Sequence, residues 1–348
     1  MNITQAKDSD RERWDDFVHK HSPSTPFHLF AWTSAIQNAY RFRNFNLIAE
    51  DNNRVSGVFP MTMLKIPLKR PQLVALPYCD VGSPLGTRRE VQAELLNKSF
   101  SIAQSNNVSM IHIRGEIDQD LLQNLGYHVQ ASSNKVRMIL ELPESAAELW
   151  KGFKSKLRSQ VRKAEKNGLT FRFADENIDD FYSIFRINMR DLGSPVHSKK
   201  WFEEIIRQFT GNAKVGLVYH NNNAIGAGII LRVGNKISIP WASTLGQFNC
   251  LNPNMMLYWK FLEYAADSGA RIFDFGRSTP DEGTYKFKAQ WGARQEPLIW
   301  YDISLKKATH QTQSSPNLSR EISKKIWQRF PLRLANLLGP LLRKYIKL

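Results

Sequence analysis

The chain has 348 residues, 42% of them apolar, a formal net charge of +16 and 2 cysteines. This composition supports packed cores in two domains and excludes wholesale disorder, a disulfide framework and a cysteine-rich metal site. No stretch approaches the roughly 18 consecutive apolar residues of a membrane-spanning helix, and the polar N-terminus has no signal core, so a cytoplasmic protein is expected.

The excess charge is local. Residues 1–148 and 173–305 are balanced, whereas 149–172 carry a net +7 and 306–348 a net +9. Two short basic elements facing polyanions fit that distribution; a uniformly basic surface does not.

Along the chain, Asn46–Pro60 reads as strand, Asn-rich turn and strand. Lys214–Gly228 repeats the pattern, with Gly57 and Gly226 at matching places after the turn. Leu73–Tyr78 matches Lys236–Trp241 as an apolar strand ending in proline and an aromatic. Helical stretches follow at Val91–Asn106 and Asn254–Ser268, then short strands at Met110–Arg114 and Arg271–Phe275. This order predicts two copies of one mixed α/β domain, 1–148 and 149–305, with a tail at 306–348. His112 stands where the second copy has Asp274.

Trp150–Gly168 predicts one helix, with Phe153, Leu157, Val161 and Ala164 on its apolar stripe and Gly168 as its C-terminal stop. Its charged side reads either as a solvated face or as an anion site. In the second case Arg158, Arg162 and Lys163 are the phosphate contacts, since guanidinium forks match phosphate geometry.

Arg271–Ala293 is the most informative stretch. Asp274 lies inside an apolar strand, where a carboxylate is costly unless it is salt-bridged, to Arg277 or Arg294, or functional. The strand leads into a Gly-Arg-Ser loop and an element dense in Tyr285, Lys286, Phe287, Lys288 and Trp291. The first copy lacks both, which assigns the specialised chemistry to the second. No HExxH, Cys-x-x-Cys, G-x-G-x-x-G, P-loop or Gly-x-Ser-x-Gly pattern occurs, so no metal, dinucleotide or serine-hydrolase chemistry is expected.

Residues 306–320 read as a polar linker. Beyond it Ile326, Phe330, Leu334, Leu337, Leu338, Leu341, Leu342 and Tyr345 form an apolar stripe among Lys325, Arg329, Arg333, Arg343, Lys344 and Lys347. Pro331, Gly339 and Pro340 are expected to bend or break this segment into two short helices. It reads as a helix docked on the second domain or as an interfacial helix on an anionic membrane surface, and the polar linker favours the latter. The protein is then peripheral on the inner face of the cytoplasmic membrane.

The repeat unit, helices followed by an antiparallel meander and a crossing helix, resembles the fold of the GNAT superfamily of N-acyltransferases. A tandem pair resembles the FemA/FemB/FemX family. The string Lys156-Leu-Arg-x-x-Val-Arg-Lys-Ala-x-Lys-x-Gly168 is similar to the segment that opens the second domain of Fem-type transferases. Three further strings are Asn252-Pro-Asn-x-x-Leu257-Tyr-Trp, Phe273-Asp-Phe-Gly-Arg-Ser and Gly283-Thr-Tyr-x-Phe-Lys-x-x-Trp-Gly292. Together with Met189–Ser198 they resemble FemAB-related proteins associated with exosortase/PEP-CTERM systems, which are linked to exopolysaccharide production.

The resemblance implies an α/β fold of two tandem GNAT-like domains plus a C-terminal amphipathic tail. It also implies transfer of an acyl or aminoacyl group to an amine of a cell-envelope or exopolysaccharide-related precursor, by direct attack in a ternary complex. No tightly bound cofactor is expected; the donor is aminoacyl-tRNA or acyl-CoA. The loop that cradles the CoA pyrophosphate in acetyltransferases is missing, which moves weight toward aminoacyl-tRNA. On this reading Asp274 is the base or amine-orienting acid, Tyr285 the proton donor and Lys288 the cation at the oxyanion or donor phosphate. Arg277, Ser278, Gly283, Thr284, Phe287 and Trp291 bind substrate. The rival readings are a non-catalytic scaffold of a membrane-associated polysaccharide pathway and a nucleic-acid binder using the basic helix.

Overall fold

The computed structural model describes residues 1–123, 126–174, 178–305 and 317–347. Most of the expected linker, 306–316, lies outside the described residues. The chain divides into two compact units, Met1–Val136 with Glu296–Thr312 and Tyr345–Leu348, and Arg137–Gln295 with Gln313–Lys344.

Besides short 3-10 turns, the elements begin with β1 (Asn2–Gln5), α1 (Arg11–Lys20), α2 (Phe30–Tyr40), β2 (Arg43–Asn44), β3 (Leu47–Asp51), β4 (Arg54–Phe59) and β5 (Thr62–Leu64). There follow β6 (Gln72–Val74), β7 (Leu85–Gly86), α3 (Arg89–Ser105), β8 (Met110–Arg114), α4 (Gln119–Gln123) and β9 (His128–Glu141). The chain continues through α5 (Ala146–Gly152), α6 (Ser155–Lys166), β10 (Thr170–Phe173), α7 (Ile178–Asp191), α8 (Lys199–Gln208), β11 (Ala213–His220) and β12 (Asn223–Val233). It ends with β13 (Lys236–Thr244), α9 (Pro253–Asp267), β14 (Ile272–Ser278), α10 (Gly283–Ala289), β15 (Arg294–Ser304), α11 (Asn317–Gln328) and α12 (Leu332–Arg343).

In the first unit, β1-β3-β4-β7 form one sheet and β15-β8-β6-β5-β2 run in order in another. Phe59, Leu95, Phe100, Ile111, Ile113, Tyr301 and Ile303 belong to its core. In the second unit the order is β10-β11-β12-β13-β14-β9. Here α9 lies close on the sheet. A Cβ on Gly216 or Gly228 would stand 2.6 and 2.7 Å from the Phe261 ring, so only glycine lets that ring seat.

The repeat recurs in three dimensions. Both hairpins, β3–β4 and β11–β12, turn through two left-handed asparagines: Asn52 and Asn53 at φ 49° and 62°, Asn221 and Asn222 at φ 48° and 63°. Asparagine tolerates that region, and two such residues in a row give a turn whose twist matches the strands. Each hairpin carries an irregularity at the same step, between Ala49 and Glu50 and between Val218 and Tyr219. Then β6 and β13 pair in parallel with β8 and β14, with α3 and α9 as the connecting helices.

Both parallel pairs are short and part at a polar residue. The last matched residues are Val74 with His112 in one and Ser238 with Asp274 in the other, although β13 and β14 run on to Thr244 and Ser278. Pro77 and Pro240 stand just beyond. A proline has no N–H to extend a ladder, so it favours the parting.

Two expectations need correction. Trp150–Gly168 is not one helix: α5 ends at Gly152, Phe153 is extended at φ −74° and ψ 143°, and α6 restarts at Ser155. Glycine is a poor helix former, and the break lets the Phe153 ring pack 5.8 Å from Trp259 and 5.5 Å from Trp291. Leu157, Val161 and Ala164 are buried as the stripe predicts, and Gly168 adopts φ +74°.

The tail breaks at Pro331, but α12 continues through Gly339 and Pro340. It is also docked, within the second unit. Trp327, Ala335 and Gly339 are buried, Gln328 Nε2 donates to the Asp191 carbonyl at 2.9 Å, and a Cβ on Gly339 would meet Val196 at 3.0 Å. Leu337 and Leu341 nonetheless stay 66% and 56% exposed, because α12 packs through its small residues. Among the described residues no helix is long and apolar enough to cross a membrane.

Candidate active site

The parting of β13 and β14 positions most of the sequence-predicted residues. Asp274, 4% exposed, sits at the fork. One oxygen, Oδ2, accepts from Arg137 on β9 at 2.7 Å, and the other, Oδ1, accepts from the Gly276 N–H at 2.8 Å. The ion pair expected with Arg277 or Arg294 is therefore made by Arg137 instead. Arg294 pairs with Glu141 at 2.9 Å. Position 137 carries no local sequence signal, since its partner lies 137 residues away.

Gly276 takes φ +73°, which bends the chain just beyond the fork. From α10 the buried Lys288 ammonium reaches this bend and donates to the carbonyls of Gly276, at 3.2 Å, and Arg277, at 2.7 Å. Ser278 is buried, and among the described residues its hydroxyl has no hydrogen-bond partner. Arg277 and Tyr285 are half-buried; Gly283 and Thr284 are exposed at the start of α10.

Phe287 and Trp291 fasten α10 to α9. Phe287 meets Tyr258 edge-on at 4.9 Å, and Tyr258 stacks on Phe275 at 5.8 Å. Burial pushes the Tyr258 phenol well above its ordinary range. Trp291 continues through Phe153 to Trp259, which lies 4.7 Å from Trp150. The Trp291 indole N–H is buried without a partner among the described residues.

The phosphate-contact residues lie on α6, not at the fork. Arg158 is half-buried, Arg162 and Lys163 are exposed, and the Arg162 guanidinium stands 5.6 Å from the centre of the Trp150 ring. Gln160, also on α6, lines a cavity of about 240 Å³ with Asn252, Pro253 and Asn254 at the start of α9 and with Phe287 and Gln290; none of the three basic residues lines it. Helix N-termini favour anions, so the +7 segment borders a surface of suitable sign. Among the described residues, no group of three His, Cys, Asp or Glu side chains is placed to hold a metal ion.

No curated protein matches the sequence. Solved structures do match in fold. The crystal structure of FemX is 17% identical with a TM-score of 0.69, over 88% of this chain and 98% of that one. L-PGS from Bacillus licheniformis is 13% identical with a TM-score of 0.57, over 92% and 98%. A tandem GNAT protein from the clavulanic acid biosynthesis pathway is 11% identical with a TM-score of 0.54, over 88% and 99%. Residues 151–289, which contain α6, the fork and α10, match the acetyltransferase (GNAT) domain family, and the whole chain has the fold of two GNAT-like domains in tandem with a helical tail.

Proposed function

We propose that the protein transfers an acyl or aminoacyl group to a primary amine, and that the β13–β14 fork is where it does so. One observation carries this reading: inside the segment similar to the acetyltransferase (GNAT) domain, the strands part at Asp274 and the bend beyond is clamped by Asp274 and Lys288. Facing main-chain edges of parted strands suit an extended, amide-bearing substrate arm. Clamped peptide dipoles supply fixed electrostatics where charge develops.

In the ternary complex the amine attacks the donor carbonyl. An N–C bond forms, the ester or thioester bond breaks, and the amine proton passes to Asp274 acting as base, or to solvent, as the leaving group departs. Asp274 orients the amine, Tyr285 protonates the leaving group and the Lys288 charge faces the oxyanion. Arg277, Ser278, Gly283, Thr284, Phe287 and Trp291 hold substrate. The donor is aminoacyl-tRNA or acyl-CoA, and Arg158, Arg162 and Lys163 on α6 meet its phosphates. The similarity to FemX supports the Fem-type reading.

The acceptor is an amine of a cell-envelope or exopolysaccharide-related precursor, as in the exosortase/PEP-CTERM-associated proteins that the sequence resembles. The exposed leucines of α12 beside Arg333 and Lys344 suit an anionic membrane surface, which supports an enzyme peripheral on the inner face of the cytoplasmic membrane. A non-catalytic binding protein is the second reading, favoured by the engagement of both Asp274 oxygens. Incubating the full chain with labelled aminoacyl-tRNA or acyl-CoA and a panel of amines separates the two. If neither donor is consumed faster than by Lys288→Met, the transferase reading fails.

A further inference from the structure

The first unit has its own buried polar cluster at the equivalent fork, and the transfer reading does not use it. His112 is 3% exposed. Its Nδ1 lies 2.5 Å from Asp302 Oδ1 on β15, opposite it in the antiparallel pair. The Nζ of Lys347 lies beside the ring, 2.5 Å from Nε2 and 3.2 Å from Nδ1. Lys347 is held in place: its carbonyl accepts from the Tyr78 N–H at 2.8 Å, and the neighbouring Tyr345 ring lies 6.2 Å from Phe42. The three groups border a cavity of about 410 Å³ together with Lys69, Arg114 and Trp300. Arg114 is buried, donates to the Cys79 carbonyl at 2.7 Å and stands 5.1 Å from the centre of the Trp300 ring. The Asp302 side chain is half exposed, so the cluster reaches solvent.

This order, carboxylate to imidazole to nucleophile, is the arrangement by which a base is oriented and a nucleophile is freed of its proton. With Nδ1–H donated to Asp302, Nε2 is the ring nitrogen nearer the Lys347 amine and the one with a lone pair to take its proton. Burial keeps His112 neutral by lowering its pKa, an effect only partly opposed by Asp302. Burial also lowers Lys347 to about 8, with Arg114 and Lys69 adding to the effect and Asp302 opposing it. The cavity carries Lys69, Arg114 and Lys347 against one carboxylate, so an anionic small molecule is favoured there.

We propose that Lys347 is a self-acylation site, in which the Asp302–His112 pair activates its amine toward an anionic activated acyl compound drawn into the cavity by Lys69 and Arg114. The Lys347 nitrogen forms a bond to the acyl carbon. The bond from that carbon to phosphate oxygen or thiolate sulfur breaks, the leaving group keeps the electron pair, and the amine proton passes to His112 Nε2. The product is a stable amide, so the site records exposure to the acyl compound and does not turn over. No step involves the second unit, and the inference stands apart from the transfer reading.

Acetyl phosphate is the probe, applied to the full chain, with peptide mapping by mass spectrometry over time. Lys347 should be acetylated at least about ten times faster than the exposed Lys151, about 1.4 kcal/mol in barrier. His112→Gln should abolish that preference and Asp302→Asn should reduce it. Lys69→Ala should slow acetylation by acetyl phosphate more than that by the neutral ester p-nitrophenyl acetate, which feels only the accompanying rise in the Lys347 pKa. Circular dichroism identifies any variant that fails to fold, and the wild-type comparison of Lys347 with Lys151 needs no variant. Lys347 reacting no faster than Lys151, or equally fast in folded His112→Gln, overturns the proposal.

Discussion

Asp274 and Lys288 hold the same residue from opposite sides. The carboxylate takes the N–H of Gly276 and the ammonium takes its C=O, so the left-handed bend after the fork is fixed at both ends of one residue. A hydrogen bond from a charged group contributes roughly 1.5–3 kcal/mol, and breaking a buried ion pair from one side costs about 3–5 kcal/mol. Asp274→Asn, which removes the carboxylate charge 2.7 Å from Arg137, should therefore destabilise the protein more than Lys288→Met. Urea denaturation of both variants checks the order, and equal midpoints would contradict the clamp.

The basic face of α6 is tested by salt. Arg158→Ala with Arg162→Ala and Lys163→Ala should weaken binding of aminoacyl-tRNA. Its dependence on salt should flatten in proportion to the phosphates that are no longer neutralised, up to about three. Thermal stability should change little, because Arg162 and Lys163 are exposed and Arg158 is half-buried. Tight acetyl-CoA binding that ignores the three substitutions would remove tRNA from consideration.

On α12 the two faces separate membrane binding from docking. Leu337→Asp with Leu341→Asp changes exposed positions, so unfolding should move by no more than about 0.5 kcal/mol per site. Flotation with anionic vesicles should be lost. Gly339→Leu should do the reverse and undock the helix, since its Cβ would already crowd Val196. Unchanged flotation in the double aspartate variant would rule out the lipid-facing stripe.

Lys347 gives the protein a pH dependence of defined sign. Its amine titrates near 8 in the folded protein against 10.5 for an ordinary lysine. Between those values the unfolded chain binds more protons, so stability rises with pH. The contribution is complete above the unfolded value and is lost as pH falls through the folded one. Burial is the main cause of the shift; of the groups that face the amine, Asp302 opposes it, Arg114 and Lys69 add to it, and His112 is neutral. Relative to Lys347→Met, the wild type should gain stability on going from pH 8 to pH 10, measured by denaturant unfolding at each pH. A flat difference would show that the amine is not buried as described.

The duplication was readable from residues because its signals are local: an Asn-Asn turn, a proline after a strand, a glycine at a fixed distance. The stripe on α6 was readable for the same reason. The Asp274 partner was not, since Arg137 meets it only through strand pairing across 137 positions. Asp302 and Lys347 escaped likewise, being 190 and 235 residues from His112. Yet the repeat held a pointer to them, because His112 occupies the place of Asp274 and a buried imidazole needs partners. Docking of the tail was one of two readings open from the sequence, and the leucine pattern did not show that Ala335 and Gly339 are the residues that pack against the unit.

β15 belongs to the first unit from Glu296 onward, and Tyr301 and Ile303 complete that unit's core. During synthesis the ribosome makes Met1–Val136, then every strand of the second unit, and only afterwards the strand that the first unit lacks. The N-terminal half therefore waits, with Ile111 and Ile113 uncovered on one side of β8, while the C-terminal half can finish folding ahead of it. A fragment cut before β15 would carry that vacancy permanently and should be sought in the insoluble fraction, whereas supplying the missing strand in trans should rescue it.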